Sequence, residues 1–573
     1  MVSVEYILKK SYPKIFEYPD LVSKSIVKIS QWVVHENSIN RFMIAHEEKK
    51  GLAFIDAALE HLNVSYKTNS RQVENIPAIG KVIIVANHPL GALDALSLIQ
   101  MVCHVRQDQK VKIVANKMLS AIPQLKDLLI SVDNMNDKVS KYALRQIDEA
   151  LRAEEAVIFF PSGEVSRGGL FGLKEGIWKG GFVKFAKRNN APVLPIYIRA
   201  KNSPLFYAAS WIYKPLGTLL LSHEMFAARN RVFDMTIGEL VSEKALNNFN
   251  VTDKRHAKLF RKHLLRIAKG KPGLYPTECS IVHPVSRQDI RMELKLGERI
   301  GTTSDNKHIY LIEQESAPHL LNEIGRLREY SFRKVGEGSG KAKDLDAYDR
   351  YYHHLVLWDD EALEVVGAYR IGECGWILSW LGREGLYLSD LCDINERFDP
   401  ILEDAIELGR SFVQPKYWGT RALDYLWQGI GAYLSHNPHV KYMIGPVSIS
   451  GSYPKHAQEA LVYFYSLYFG SDHTYLKAKS PYRLSDYVKA EFAQLFCGND
   501  YNEDFRVLKD YLKTFDVAVP TLYKQYSELC EEGGAQFVDF GIDVDFNNCI
   551  DGYMLVEIAK IKAVKRQRYI QAV

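Results

Sequence analysis

The chain has 573 residues, 47% of them hydrophobic and 25% charged, a globular balance spread over more length than one domain needs. That balance excludes a mainly disordered chain, and no glycine period of the collagen kind is present. With 73 basic and 69 acidic residues the net charge is +4, too even for a protein that coats nucleic acid, although local basic patches could still bind anions.

No apolar run approaches the ~18–20 residues that a membrane-spanning helix needs. The most apolar stretches, such as residues 82–86, are strand-length. The opening residues lack the apolar core of a secretory signal, so any membrane role is expected to be peripheral. Seven scattered cysteines without a CxxC pair read as reduced thiols, and their spacing supports no zinc site.

In chain order, residues 22–34 and 52–62 have helical spacing. From there short apolar runs alternate with helical patterns. Strands are expected at 81–87, 111–117, 156–162 and 191–200, with helices at 92–102, 140–155 and 176–190 between them. Strands separated by helices of that length predict an α/β sheet with parallel segments. Residues 270–308, rich in Gly, Pro, Ser and Thr, are the expected linker. A second α/β pattern follows, with strands at 308–314, 353–359, 363–372, 405–413 and 440–449 and helices at 318–336 and 421–436. The expected domains are 1–285 and 300–573.

The first expected strand runs into Asn87, His88 and, six residues after the histidine, Asp94. Open α/β sheets place polar chemistry at the carboxyl ends of parallel strands. A carboxylate can hold one imidazole tautomer and leave the other nitrogen as a general base. The alternative is a polar turn capped by Asp94. Two further segments bear on the choice. Residues 160–167 read FPSGEVSR, where Arg167, with Lys174 beyond it, suits an acidic headgroup or phosphate. Residues 192–196 read PVLPI.

Together these blocks resemble the glycerolipid acyltransferase family, whose NHxxxxD, FPEGTRS and VPVxP blocks come in that order. The resemblance covers about 75–210. It implies His88 as catalytic base, Asp94 as its support, and Asn87, Gly163, Glu164 and Arg167 in substrate binding. The His-to-Asp spacing is one residue longer than usual and the glutamate of the third block is displaced, which points away from phosphatidic-acid synthesis. The combination looks like the branch that acylates lyso-aminolipids, where the acceptor is the hydroxyl of an amide-linked 3-hydroxy fatty acid.

The second half carries Arg328, Phe332 and Arg333 on a helix, Asp346 and Asp349 in a loop, Arg370 on a strand, and Glu407 and Arg410 on another. Arg326, Arg328 and Arg333 could also be a solvated helix face, and His353 and His354 read as strand-start or core residues. Taken in order, with segments 444–454, 520–534 and 544–557, these residues resemble the ornithine lipid N-acyltransferases and the related autoinducer synthases. The resemblance covers about 305–557. It implies an acetyltransferase-like (GNAT-type) α/β fold and an acyl-carrier-protein thioester as donor. Its matching positions are Arg328, Phe332, Asp349, Arg370, Glu407 and Arg410. A free α-amine would attack the thioester, with Glu407 as candidate for proton acceptance or amine positioning and strand N–H groups polarising the carbonyl.

The order of the halves is similar to that of the bifunctional ornithine lipid synthases, which implies N-acylation of ornithine and then O-acylation of the lyso-lipid. Glycine or another amino acid is the alternative acceptor. No metal or bound cofactor is implied beyond the acyl thioester. The expected partners are acyl carrier protein, the amino acid and a lyso-aminolipid, with no nucleic acid. An acidic carrier protein would suit Lys179, Lys184, Lys187 and Arg188, or Lys416, Arg421, Lys441 and Lys455. The helix at 21–34 and the basic C-terminal segment could dock on anionic lipid at the cytoplasmic membrane face. Two rival readings are a single-activity acyltransferase with one degenerate half and a non-catalytic, toxin-like membrane protein.

Overall fold

A computed structural model describes residues 3–570, apart from 12, 107, 117–121, 133–139, 170–171, 213 and 314–316. The chain forms two compact units, Met1–His283 and Pro284–Val573. The expected linker is a correction: within 270–308 the chain forms the helix Arg287–Leu294 and a sheet strand, Glu298–Thr302, both in the second unit. Ser286 caps that helix through the Asp289 amide, and Ile290 and Leu294 bury its inner face. A capped helix with an apolar stripe overrides the turn-rich composition.

The first unit is built on a seven-stranded sheet. Its strands are β1 (Ser65–Lys67), β2 (Val82–Ala86), β3 (Val111–Asn116), β4 (Leu129–Val132), β5 (Ala156–Phe159), β8 (Val193–Arg199) and β9 (Val232–Ile237), in the order β1-β9-β8-β2-β5-β3-β4. A separate hairpin pairs β6 (Arg167–Gly169) with β7 (Gly172–Lys174). Every pairing in the large sheet is parallel except β8 with β9. All five residues of β2 are buried, as a central parallel strand covered on both faces requires. Its side chains reach two cores: Ile84 packs with the helix Ala92–Val105, and Ile83 and Val85 pack with Phe182 and Phe260.

The second unit holds an eight-stranded sheet. Its strands are β10 (Glu298–Thr302), β11 (His308–Ile312), β12 (His353–Asp359), β13 (Glu364–Glu373), β15 (Ala405–Val413), β16 (Tyr442–Ile449), β18 (Ala535–Asp543) and β19 (Cys549–Glu557), in the order β10-β11-β12-β13-β15-β16-β19-β18. Two short strands, β14 (Cys392–Ile394) and β17 (Leu476–Ala478), pair apart from it. All pairings in the large sheet are antiparallel except β15 with β16.

That single parallel pair shapes the unit. The ladder between β15 and β16 covers only Ala405 to Glu407 against Tyr442 to Ile444. Beyond it β15 stays with β13 as far as Val413, and β16 stays with β19 as far as Ile449, so the two strands part. At the parting point the Gly445 backbone lies against Leu408, and a Cβ there would stand 2.1 Å from the Leu408 carbonyl oxygen. Between Ala368 and Arg370 of β13, partners step from Phe412 to Gly409, so β15 carries an extra residue. Arg410 at this bulge has a left-handed φ of 50°, a strained conformation held by its surroundings.

Candidate active sites

In the first unit, Asn87 and His88 follow β2 directly. Gly91, at φ 94°, turns the chain into the helix Ala92–Val105. That turn aims the amides of Leu90 and Gly91 at one oxygen of Asp94, Oδ2, at 2.7 and 3.0 Å. The same oxygen lies 3.1 Å from His88 Nδ1. Since two amides already donate to Oδ2, His88 Nδ1 carries the proton between them, and Nε2 is left as the basic nitrogen. Asp94 is fully buried, while the His88 ring is partly open and stacks on Phe160 at 4.1 Å between centroids. The ring is therefore fixed in tautomer and orientation.

The FPSGEVSR segment lies beside this pair. The Ser166 amide donates to the His88 carbonyl at 2.8 Å, and Gly163 closes its turn by donating to Phe160. Glu164 and Arg167 form an ion pair at 3.4 Å. The structure thus brings His88, Asp94, Gly163, Glu164 and Arg167 to one end of the sheet. Asn87 is a correction. Its side chain is buried, gives Nδ2 to the Ile198 carbonyl at 2.8 Å and accepts the Ile198 amide at 2.7 Å. Both ends of its amide are spent on clamping β2 to β8, which makes it a structural residue rather than a substrate ligand. The Lys174 side chain lies outside the described residues.

In the second unit a cavity of about 100 Å³ opens where β15 and β16 part. Its walls include Gly409, Arg410 and Ser411 from β15 and Pro446, Val447 and Ser448 from β16. Phe332 also lines it, edge-on to Phe546 at 4.9 Å. Of the matching positions named singly from sequence, only Phe332 and Arg410 reach this cavity, while segments 444–454, 520–534 and 544–557 supply much of its wall.

Arg328, Asp349 and Arg370 form the support behind Arg410. Arg328 Nη1 donates to Asp349 Oδ1 at 2.7 Å, and Arg370 Nη1 donates to Asp346 Oδ1 at 2.5 Å. Arg410 in turn pairs with Asp344 at 3.3 Å and Asp346 at 3.4 Å. Burial alone would raise Asp349, but Arg328 and Arg370 overcome it and hold the carboxyl well below its usual range. The Arg370 guanidinium sits among the rings of Tyr348, Tyr352 and Tyr387. His354 is buried in this network; burial and then the Arg328 charge push it down to about 3, so it stays neutral. Arg326 is not a solvated face either, being buried against Glu323.

Glu407 is a second correction. It is 1% exposed and does not line the cavity. Tyr352 Oη donates to Oε2 at 2.5 Å, and the amides of Tyr387 and Leu388 donate at 3.1 and 2.7 Å. Burial raises its carboxyl despite these bonds. A carboxylate so enclosed anchors the backbone at Tyr387, whose ring lies under the Arg410 guanidinium at 4.7 Å. Glu407 positions the site rather than exchanging protons with a substrate.

Three acids of the cavity wall escaped the sequence reading: Glu337, Asp543 and Asp551. The signal for Asp551 was present, since an acid in the strand CIDGYMLVE stands among residues that are buried on both faces. Among the described residues no group of three or more His, Cys, Asp or Glu side chains is placed to hold a metal ion.

Residues 20–264 match the Acyltransferase family and residues 327–428 match the acetyltransferase (GNAT) domain. A glycine N(alpha)-acyltransferase of Phocaeicola vulgatus is 31% identical over 306 residues, 51% of this chain and 93% of the relative. A lyso-glycine lipid O-acyltransferase of Bacteroides thetaiotaomicron is 29% identical over 245 residues, 42% of this chain and 88% of the relative. The chain belongs to the acyltransferases, with an O-acyl-transfer and an N-acyl-transfer domain in one polypeptide. An L-ornithine N(alpha)-acyltransferase of Brucella abortus is also similar to this two-domain acyltransferase, 31% identical over 133 residues, 22% of the chain and 46% of the relative.

The basic residues considered for a carrier protein mostly have acidic neighbours. Lys187 pairs with Asp253, Arg188 with Asp148, Lys416 with Glu364, Arg421 with Asp424, Lys441 with Asp404 and Lys455 with Glu459. Among the described residues no helix is long and apolar enough to cross a membrane.

Proposed function

We propose that this acyltransferase makes a diacylated aminolipid in two steps. The second unit transfers a 3-hydroxyacyl chain from an acyl-carrier-protein thioester to the α-amine of glycine. The first unit then esterifies the 3-hydroxyl of that lyso-lipid with a second chain. The observation that carries the O-acyl step is the His88–Asp94 pair, with a fixed tautomer and a basic Nε2, at the end of the first sheet. Nε2 takes the proton of the lyso-lipid hydroxyl as its oxygen attacks an acyl thioester, the carbonyl–sulfur bond breaks, and the thiolate leaves with that proton. Arg167 and Glu164 beside it suit the charged head of the lyso-lipid. Glycine is favoured by the relatives that are matched over most of their length. Ornithine is the second reading, favoured by the acidic cavity wall of the second unit, which would receive a side-chain ammonium.

The same reading places the protein on the cytoplasmic membrane face. The helix Asp20–Val34 exposes Leu21, Ile29 and Trp32, and the helix Pro204–Ile212 exposes Leu205, Trp211 and Ile212. Such exposed apolar residues are what an interfacial helix inserts between headgroups. A host that lacks aminolipids, expressing this chain, tests the whole: its lipids should contain the diacylated amino acid, and the head-group mass chooses between glycine and ornithine. Absence of any new aminolipid would remove the proposal.

A further inference from the structure

N-acyl transfer has a requirement that Glu407 cannot meet. An acceptor α-amine is largely protonated at neutral pH, and only its neutral form attacks a thioester. The three acids of the cavity differ in what they have free. Asp543 Oδ1 accepts the amides of Asp545 and Phe546, and Oδ2 accepts from Tyr387 Oη, so Asp543 holds a turn. Asp551 is 2% exposed near the start of β19, opposite Ser448 of β16 and Gly541 of β18. Among the described residues its Oδ1 has no hydrogen-bond partner, although Ser448 bonds the carboxyl. Asp551 lines the cavity, and a buried carboxylate oxygen without a partner is a costly feature. Glu337 stands on the same wall, half-buried, in the loop after the helix Pro318–Lys334.

We infer that Asp551 takes the proton from the ammonium group of the acceptor amino acid and that Glu337 passes it on toward solvent. This rests on the reading of the second unit as an N-acyltransferase. The ammonium N–H breaks in favour of the Asp551 carboxylate, and the freed lone pair forms the new N–C bond. The carbonyl–sulfur bond then breaks, and the thiolate takes the remaining surplus proton from nitrogen, leaving amide and thiol. The proton on Asp551 moves to Glu337 and out, which resets the site.

The surroundings suit that task. Burial and then the Asp543 charge push Asp551 up to about 7, and burial and then the Asp551 charge push Glu337 up to about 8. The other charged neighbour of Asp551 is Arg410. The phenols of Tyr387, Tyr523 and Tyr553 and the Cys549 thiol are pushed up by burial and stay neutral. Asp551 and Glu337 are thus poised to exchange a proton near neutral pH.

The test uses the full chain with glycine, and separately ornithine, and a 3-hydroxyacyl thioester of acyl carrier protein, reading N-acyl product against pH. Wild-type kcat should rise with pH around a midpoint of about 7 as Asp551 loses its proton. D551N should lose about 100-fold or more at pH 7 with little change in KM, and recover only well above neutral pH, as the free amine deprotonates in solution. D551E should restore a neutral midpoint. E337Q, which removes the relay group but little charge where Asp551 titrates, should lower kcat and leave the midpoint near 7. A D551N enzyme with the wild-type rate and pH profile overturns the inference while leaving N-acyl transfer standing. A D551N loss that is equal at every pH, with no rescue by D551E, overturns it as well. A wild-type enzyme that acylates neither amino acid sinks the N-acyltransferase reading and the inference together.

Discussion

At the scale of single residues, His88 and Asp551 sit in opposite electrostatic situations. His88 gains its role from one hydrogen bond, the 3.1 Å contact that fixes its tautomer. H88A should therefore lower O-acylation about 10²- to 10⁴-fold and let the mono-acyl product accumulate in lipid extracts, the range expected for removal of a general base. An unchanged ratio of mono- to diacyl lipid would refute the assignment. Asp551 instead is held at a cost. Its folded value is raised above the unfolded one, so the ionised form destabilises the fold as pH rises from about 4 toward 7 and fully above that. D551N should then unfold at higher temperature than wild type at pH 8, by an amount that vanishes near pH 4. A carboxyl raised that far makes the gain at pH 8 on the order of a few kcal/mol. A stabilised, inactive variant is the pattern expected where function holds a strained group in place. Equal melting temperatures at both pH values would show that the carboxylate is not strained.

At the scale of elements, the positions of strand ends decide what the side chains can do. Asn87 spends its whole amide on Ile198, so N87A should leave a buried N–H and C=O without partners and cost about 1–3 kcal/mol. Thermal unfolding should show that loss, with activity falling only as the folded fraction falls. In the second unit the parting of β15 from β16 depends on the close approach at Gly445. G445A would drive a methyl group into the Leu408 carbonyl, so both stability and N-acyl transfer should drop while O-acylation per folded molecule is retained. These distinctions explain what the sequence could show. The β2 strand was legible because a buried parallel strand is a continuous apolar run, and His88 and Asp94 were legible because they follow it at once. Asn87 was misread because a clamp and a ligand use the same amide. The stretch 270–308 reads as a linker because its glycine, proline, serine and threonine content outweighs a short capped helix. Asp551 and Glu337 were missed because they are 214 residues apart and meet only through tertiary structure.

At the scale of the whole molecule, two chemistries share one chain, and the account gives each its own base in its own unit. One polypeptide raises the supply of a lipid intermediate for the second step whether that intermediate diffuses in a membrane or passes directly. Full-length H88A and D551N proteins mixed on anionic vesicles should together restore diacyl product if the intermediate is released between steps. A mixture that makes none would show that it is not. The exposed Trp32 and Trp211 should support vesicle binding, and replacing both with Ala should reduce co-sedimentation with anionic liposomes without lowering the melting temperature. The most direct measurement is the lipid profile of an aminolipid-free host that expresses either wild-type or H88A protein. The account predicts a diacylated amino-acid lipid in the first and its N-monoacyl precursor alone in the second; a host whose lipids are the same with both proteins would contradict it.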